Sequence, residues 1–135
     1  MNDAQRMVQE FHTQFDIHVS PTPSIPDEPT RILRKRLIQE EFDELQEAMQ
    51  EKDLPSIAKE LADLLYVVYG TAVSLGIDME PVFQEVHRSN MSKVGGHKRE
   101  DGKWVKPSTY SPAALDKILE GQTVSQENFQ HKGKN

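Results

Sequence analysis

The chain has no cysteine, which removes disulfides and thiol chemistry from consideration. It lacks a basic excess: 16 Lys and Arg stand against 22 Asp and Glu, a formal net charge of −6. Coating a nucleic-acid polymer is therefore not its expected role. No apolar run approaches bilayer length. The longest, Leu64–Tyr69, is far too short to span hydrocarbon. The opening MNDAQRMVQEFH is polar and periodic, so no signal peptide is expected and a soluble cytoplasmic protein is the default. Glu-x-x-His occurs nowhere, which counts against a di-iron carboxylate bundle. There is no internal repeat.

What is present suits one helical domain. The length is 135 residues and the hydrophobic share is 36%, thin for a deep core but adequate for a helix bundle that shares an interface. Ala4, Met7, Val8, Phe11 and Phe15 recur at helical spacing over residues 3–16 and predict an amphipathic helix. Residues 17–29 carry prolines at 21, 23, 26 and 29 and read as an extended connector. Two long helical patterns follow, broken at Lys52–Pro55, with Asp53 as N-cap of the second and Gly70 inside it. Gly76 ends that helix and Asp78 caps the next. Residues 79–92 place Val82, Phe83, Val86 and Met91 on a core-facing side. A short β-hairpin or ordered loop is expected near 94–107, turning at Asp101–Gly102 and locally basic. A short C-terminal helix starts at Ser111–Pro112 and stops at Gly121. The domain is expected to cover 1–121, with a polar, flexible tail over 122–135.

The chemistry lies between the two long helices. Leu33, Leu37, Glu41, Glu44 and Ala48 follow one helical stripe. On the second helix, Leu61, Leu64, Leu65 and Val68 form an apolar face, with Glu60 and Asp63 on the adjoining one. Folding the pair antiparallel about Asp53 brings Glu44 level with Glu60, and Glu41 level with Asp63. Glu40 borders them. Like charges at close range repel, and either protonation or cations must relieve that. An oxygen-only set without Cys or His suits Mg²⁺, with Mn²⁺ as substitute. A glutamate run alone is what any solvated helix face shows. The pairing with Glu60 and Asp63 on a nearly apolar helix changes the reading.

These residues carry a resemblance. Glu40-Glu41-Phe42-Asp43-Glu44 followed by Glu60-Leu61-Ala62-Asp63 resembles the EExxE…ExxD signature of the MazG-like all-α NTP pyrophosphatases. His87 to Lys93, Asp101-Gly102-Lys103 and Lys106-Pro107 resemble the subgroup related to dUTP pyrophosphatase and phosphoribosyl-ATP pyrophosphohydrolase. The resemblance covers roughly residues 5–120. It implies a four-helix bundle that dimerises, sometimes as a dimer of dimers, with the site often completed across the dimer. It implies metal ligation by Glu41, Glu44, Glu60 and Asp63, with Glu40 beside the metals or holding the attacking water. Asn90 and Lys93 match substrate-contacting positions, and Lys103 and Lys106 of the basic loop join them in neutralising phosphates. The implied reaction cleaves a nucleoside triphosphate between the α and β phosphates, giving the monophosphate and pyrophosphate. The expected substrate is a pyrimidine dNTP, dUTP first and dCTP second, in nucleotide-pool house-cleaning. The alternative is a non-catalytic helical oligomerisation or nucleotide-binding module. The apolar faces of 56–75 and 79–92 exceed what one hairpin covers, which favours a homodimer.

Overall fold

The computed structural model describes residues 1–123. It is an all-α bundle with a minute sheet. In chain order come α1 (Asp3–Gln14), α2 (Glu28–Glu51), α3 (Leu54–Leu75), α4 (Met79–Met91), β1 (His97–Lys98) and β2 (Trp104–Val105). A fifth helical stretch, α5, covers 116–123. The tail expected from 122 lies, beyond residue 123, outside the described residues.

The α2–α3 hairpin dominates the packing, and α1 lies against α3. Its turn is tight: Lys52 takes the left-handed conformation at φ 57° and Asp53 precedes Pro55 in the first turn of α3. Leu45 and Ala48 of α2 are buried, as are Ala72 and Val73 of α3. Arg34 cross-braces the two helices. The residue is 5% exposed, and its guanidinium donates to the Val67 carbonyl at 3.0 Å and to Thr71 Oγ1 at 3.3 Å. Gly70 makes room for it, since a Cβ there would lie 2.2 Å from Arg34 Nη2. The glycine thus admits side chains, Arg34 and His12, rather than another backbone.

The proline-bearing connector is extended, and it docks on the end of α3. Ser20 N donates to the Val73 carbonyl and Ser24 N to the Leu75 carbonyl. Ser20 Oγ donates to the Ser74 carbonyl at 2.7 Å, and Ser74 Oγ to the His18 carbonyl at 2.9 Å. Pro29, read as connector, sits instead in the first turn of α2 behind the Asp27 cap, where a missing N–H costs nothing.

The buried face of α1 differs from the expected stripe. Gln5, Val8 and His12 are buried, while Met7 and Phe15 are more than 60% exposed. Gln5 Nε2 donates to the Ile77 carbonyl at 2.7 Å, and its Oε1 accepts from Met79 N at 3.0 Å. His12 Nδ1 lies 3.1 Å from the His18 carbonyl. These bonds satisfy the polar groups, so burying them is not penalised. The apolar stripe is left on the flank, where Phe11 packs with Phe15 and, edge-on, with Tyr66.

α4 also departs from expectation. Only Val82 of its apolar set is buried; Phe83, Val86 and Met91 are exposed. The cause is the corner at Gly76–Asp78, where α4 turns from α3 by 113° and so covers neither hairpin helix. Leu61, Leu65 and Val68 of the apolar face of α3 are exposed too, in line with the expectation that one hairpin leaves that face incompletely covered. The corner is clamped by Gln5 on one side and Gln122 on the other, whose amide pairs with Asp78 N and O, each at 3.0 Å. α5 therefore begins later than Ser111 and runs through Gly121 rather than stopping there. The β-hairpin forms as expected, with His97 opposite Val105 and Lys98 opposite Trp104.

Gly76 tests the corner. Its φ is +71°, and a Cβ would meet the Thr22 carbonyl oxygen at 2.1 Å. Gly76→Ala is expected to destabilise the chain by about 2 kcal/mol or more, from left-handed strain plus a backbone collision, measured by urea unfolding.

Candidate functional site

Four carboxylates expected to converge do so. Glu41 and Glu44 of α2 and Glu60 and Asp63 of α3 each offer an oxygen, and these oxygens all lie within 4.8 Å of one another. The helical phase explains it: three-residue steps on each helix put both acids on the facing groove, and the tight turn sets the register. Glu41, Glu60 and Asp63 are partly buried, and Glu44 opens to solvent. Glu40 is exposed and lies outside this set.

The electrostatics of the cluster are unbalanced. Burial, then Glu44 placed to share a proton, and then the other acids push the Glu41 carboxyl upward in pKa. Burial and Glu44 raise Glu60 likewise, against the opposing pull of Lys59. Glu41 Oε2 and Glu60 Oε2 are buried without a hydrogen-bond partner, a costly state for a carboxylate oxygen. An oxygen-only donor set with two orphaned atoms and excess negative charge fits a hard divalent cation. Lys59, which sequence reasoning passed over, donates to Asp63 Oδ2 at 2.6 Å and lies 3.6 Å from Glu60 Oε1. Its position four residues before Asp63 is the signal that could have found it.

The basic residues form a second group at the far end of α4. Lys93 Nζ donates to Asn90 Oδ1 at 2.8 Å. Lys93 and Lys106 both lie over the Tyr110 ring, at 5.8 and 4.5 Å from its centroid. Tyr110 was not anticipated. Its hydroxyl is 3.5 Å from Ser89 Oγ, and that contact, then the two lysines, holds its pKa below the usual phenol value. Lys103 is separate from this group; its amide donates to Asp101 Oδ1 while its side chain is exposed on the hairpin. Trp104 Nε1 donates to the Lys93 carbonyl at 2.7 Å and so ties the hairpin to the end of α4.

Within one chain, the two groups are on different arms of the α3–α4 corner. Asp63 sits twelve residues before the end of α3, and Asn90 eleven residues after the start of α4. With a bend of 113°, the helix rise separates them by on the order of 20 Å. A salt bridge fixes the far group: Arg88 pairs with Glu85 at 2.8 Å and also reaches the Ser111 and Pro112 carbonyls. Glu85 additionally accepts from Ala114 N.

Arg88 first, and then the Ala114 amide, hold the Glu85 carboxyl down at about 2 from an ordinary 4.5. A carboxylate of depressed pKa stabilises the fold above its unfolded value and loses that contribution as pH falls through its folded value. Glu85→Gln is therefore expected to lower the melting temperature at pH 7. The gap to the wild type closes as pH drops from about 4.5 toward about 2, read by thermal melts across that window.

A family model described as phosphoribosyl-ATP pyrophosphohydrolase matches residues 8–90. That span includes all four clustered carboxylates and Asn90 and ends before Lys93. No curated protein matches the chain.

Proposed function

The chain belongs to the phosphoribosyl-ATP pyrophosphohydrolase family, within the MazG-like all-α NTP pyrophosphatases, and from that premise we propose that it is a Mg²⁺-dependent pyrophosphohydrolase of a pyrimidine deoxynucleoside triphosphate, dUTP before dCTP. Pyrophosphohydrolysis of nucleotides is the family's general activity; the metal, the base and the sugar are the proposal. The observation that supports it most is the carboxylate cluster with its two orphaned oxygens. Glu41, Glu44, Glu60 and Asp63 would hold the metal. A divalent ion bound there supplies polarisation of phosphoryl oxygens and charge neutralisation of the polyphosphate. Glu40, exposed one residue from Glu41, is assigned to take the proton from the attacking water. The water oxygen bonds to the α phosphorus, the α–β bridging bond breaks, and pyrophosphate leaves with the electron pair. Asn90, Lys93 and Lys106 are assigned to phosphates as hydrogen-bond and charge partners; Lys103, apart from them, is assigned only a general contribution to local positive charge.

The separation of the two groups favours a homodimer in which the α4 loop of one copy meets the carboxylates of the other. Phe11, Phe15, Leu61, Leu65 and Phe83 lie exposed on the same chain, an apolar surface that a second copy would cover. The proposed role is removal of surplus or noncanonical nucleotides in the cytoplasm.

A panel of (d)NTPs with Mg²⁺ or Mn²⁺ tests the reading. The expected products are the monophosphate and pyrophosphate, with dUTP turned over fastest; orthophosphate as first product refutes it. Glu41→Gln and Glu60→Gln are each expected to cut kcat by about a hundredfold or more while circular dichroism stays unchanged. Mixing Glu60→Gln with Lys93→Ala protein is expected to restore turnover above either alone, because a hybrid dimer holds one intact site. No restoration after verified subunit exchange refutes the shared site.

A further inference from the structure

Lys59 sits at the mouth of the carboxylate cluster, and nothing in the proposed reaction uses it. Its ammonium donates to Asp63 Oδ2 at 2.6 Å and stands 3.6 Å from Glu60 Oε1. It bridges two of the four acids while being 68% exposed itself. No other cation pairs with the four acids among the described residues. The contact is thus one-sided: it engages Asp63 and the near oxygen of Glu60, and leaves Glu60 Oε2 and Glu41 Oε2 unpartnered.

We propose that Lys59 is a stand-in cation, a positioning residue that occupies part of the carboxylate cluster until a divalent ion displaces it. The inference rests on the metal reading above. An ammonium 2.6 Å from Asp63 Oδ2 and a divalent ion on the same carboxylate are like charges at close range and repel each other. Binding therefore works against the Lys59 pair, and Lys59 sets a threshold that weakens metal affinity. The exposed side chain swings to solvent without disturbing the core, so displacement costs only the pair. In exchange, Lys59 holds the cluster against its own repulsion through one side.

A general effect of nearby charge would treat lysine and arginine alike, whereas displacement would not. An arginine fork can take both carboxylates in planar geometry and is harder to remove. The experiment is calorimetric titration of Mg²⁺ and of Mn²⁺ into the full chain without substrate, for the wild type, Lys59→Gln and Lys59→Arg. Lys59→Gln is expected to bind the ion about two- to fivefold more tightly, the range a partly exposed ion pair allows. Its metal-free melting temperature is expected to fall below the wild type's, and Lys59→Arg is expected to bind the ion more weakly than the wild type. Equal affinity in Lys59→Gln and wild type overturns the proposal. So does Lys59→Arg matching the wild type, which leaves only a general charge effect. A wild type that binds neither ion, or binds it undiminished in Glu60→Gln, overturns the metal reading itself and this inference with it.

Discussion

Four like charges drawn between two helices cannot hold those helices together. They push the hairpin apart, and the rest of the chain must oppose them. Two features near the cluster do so. Below it, Leu45 and Ala48 pack where α2 approaches the Lys52 turn. Above it, Arg34 spans from α2 to the Val67 carbonyl and Thr71, about two turns from Glu41. The carboxylates thus sit between a packed end and a hydrogen-bonded brace. Strain of this kind is expected where a protein keeps ligands poised for an ion it does not always hold. Gly70 belongs to the same device, because any larger residue would expel the guanidinium that braces the groove.

The hairpin was legible because its signals are local. Three-residue spacing, a capped break and a proline in the first turn each act within a few residues, and together they fix which acids face each other. The buried faces of α1 and α4 were not legible, because the deciding partners are distant in sequence. Gln5 is buried only because the corner at Ile77 and Met79 offers it a carbonyl and an amide. Nothing near Gln5 announces that. Periodicity alone ranks Met7 and Phe15 above it. Likewise Phe83 and Met91 read as core until the 113° turn at the corner is known. Tyr110 illustrates the same limit in the basic group. Its two lysines come from just after α4 and just after β2, and only the fold puts both over one ring.

A single clamp links the carboxylate cluster to the basic group, although neither touches it. The corner at Gly76–Asp78 is held by the Gln5 and Gln122 amides and by the amino terminus, which pairs with Asp78 and Glu80. That hold aims α4 away from the hairpin. It exposes apolar residues of α3 and α4 and sets the end of α4 on the order of 20 Å from the carboxylates of the same chain. A flexible corner would let α4 collapse onto Leu61 and Leu65 and bury the apolar surface within one chain. Under the proposed dimer, the polar burial that looked anomalous in α1 is what keeps that surface available. Hydrogen bonds at the corner then decide where hydrophobic burial occurs, between copies rather than within one, and so which chain's lysines meet which chain's acids.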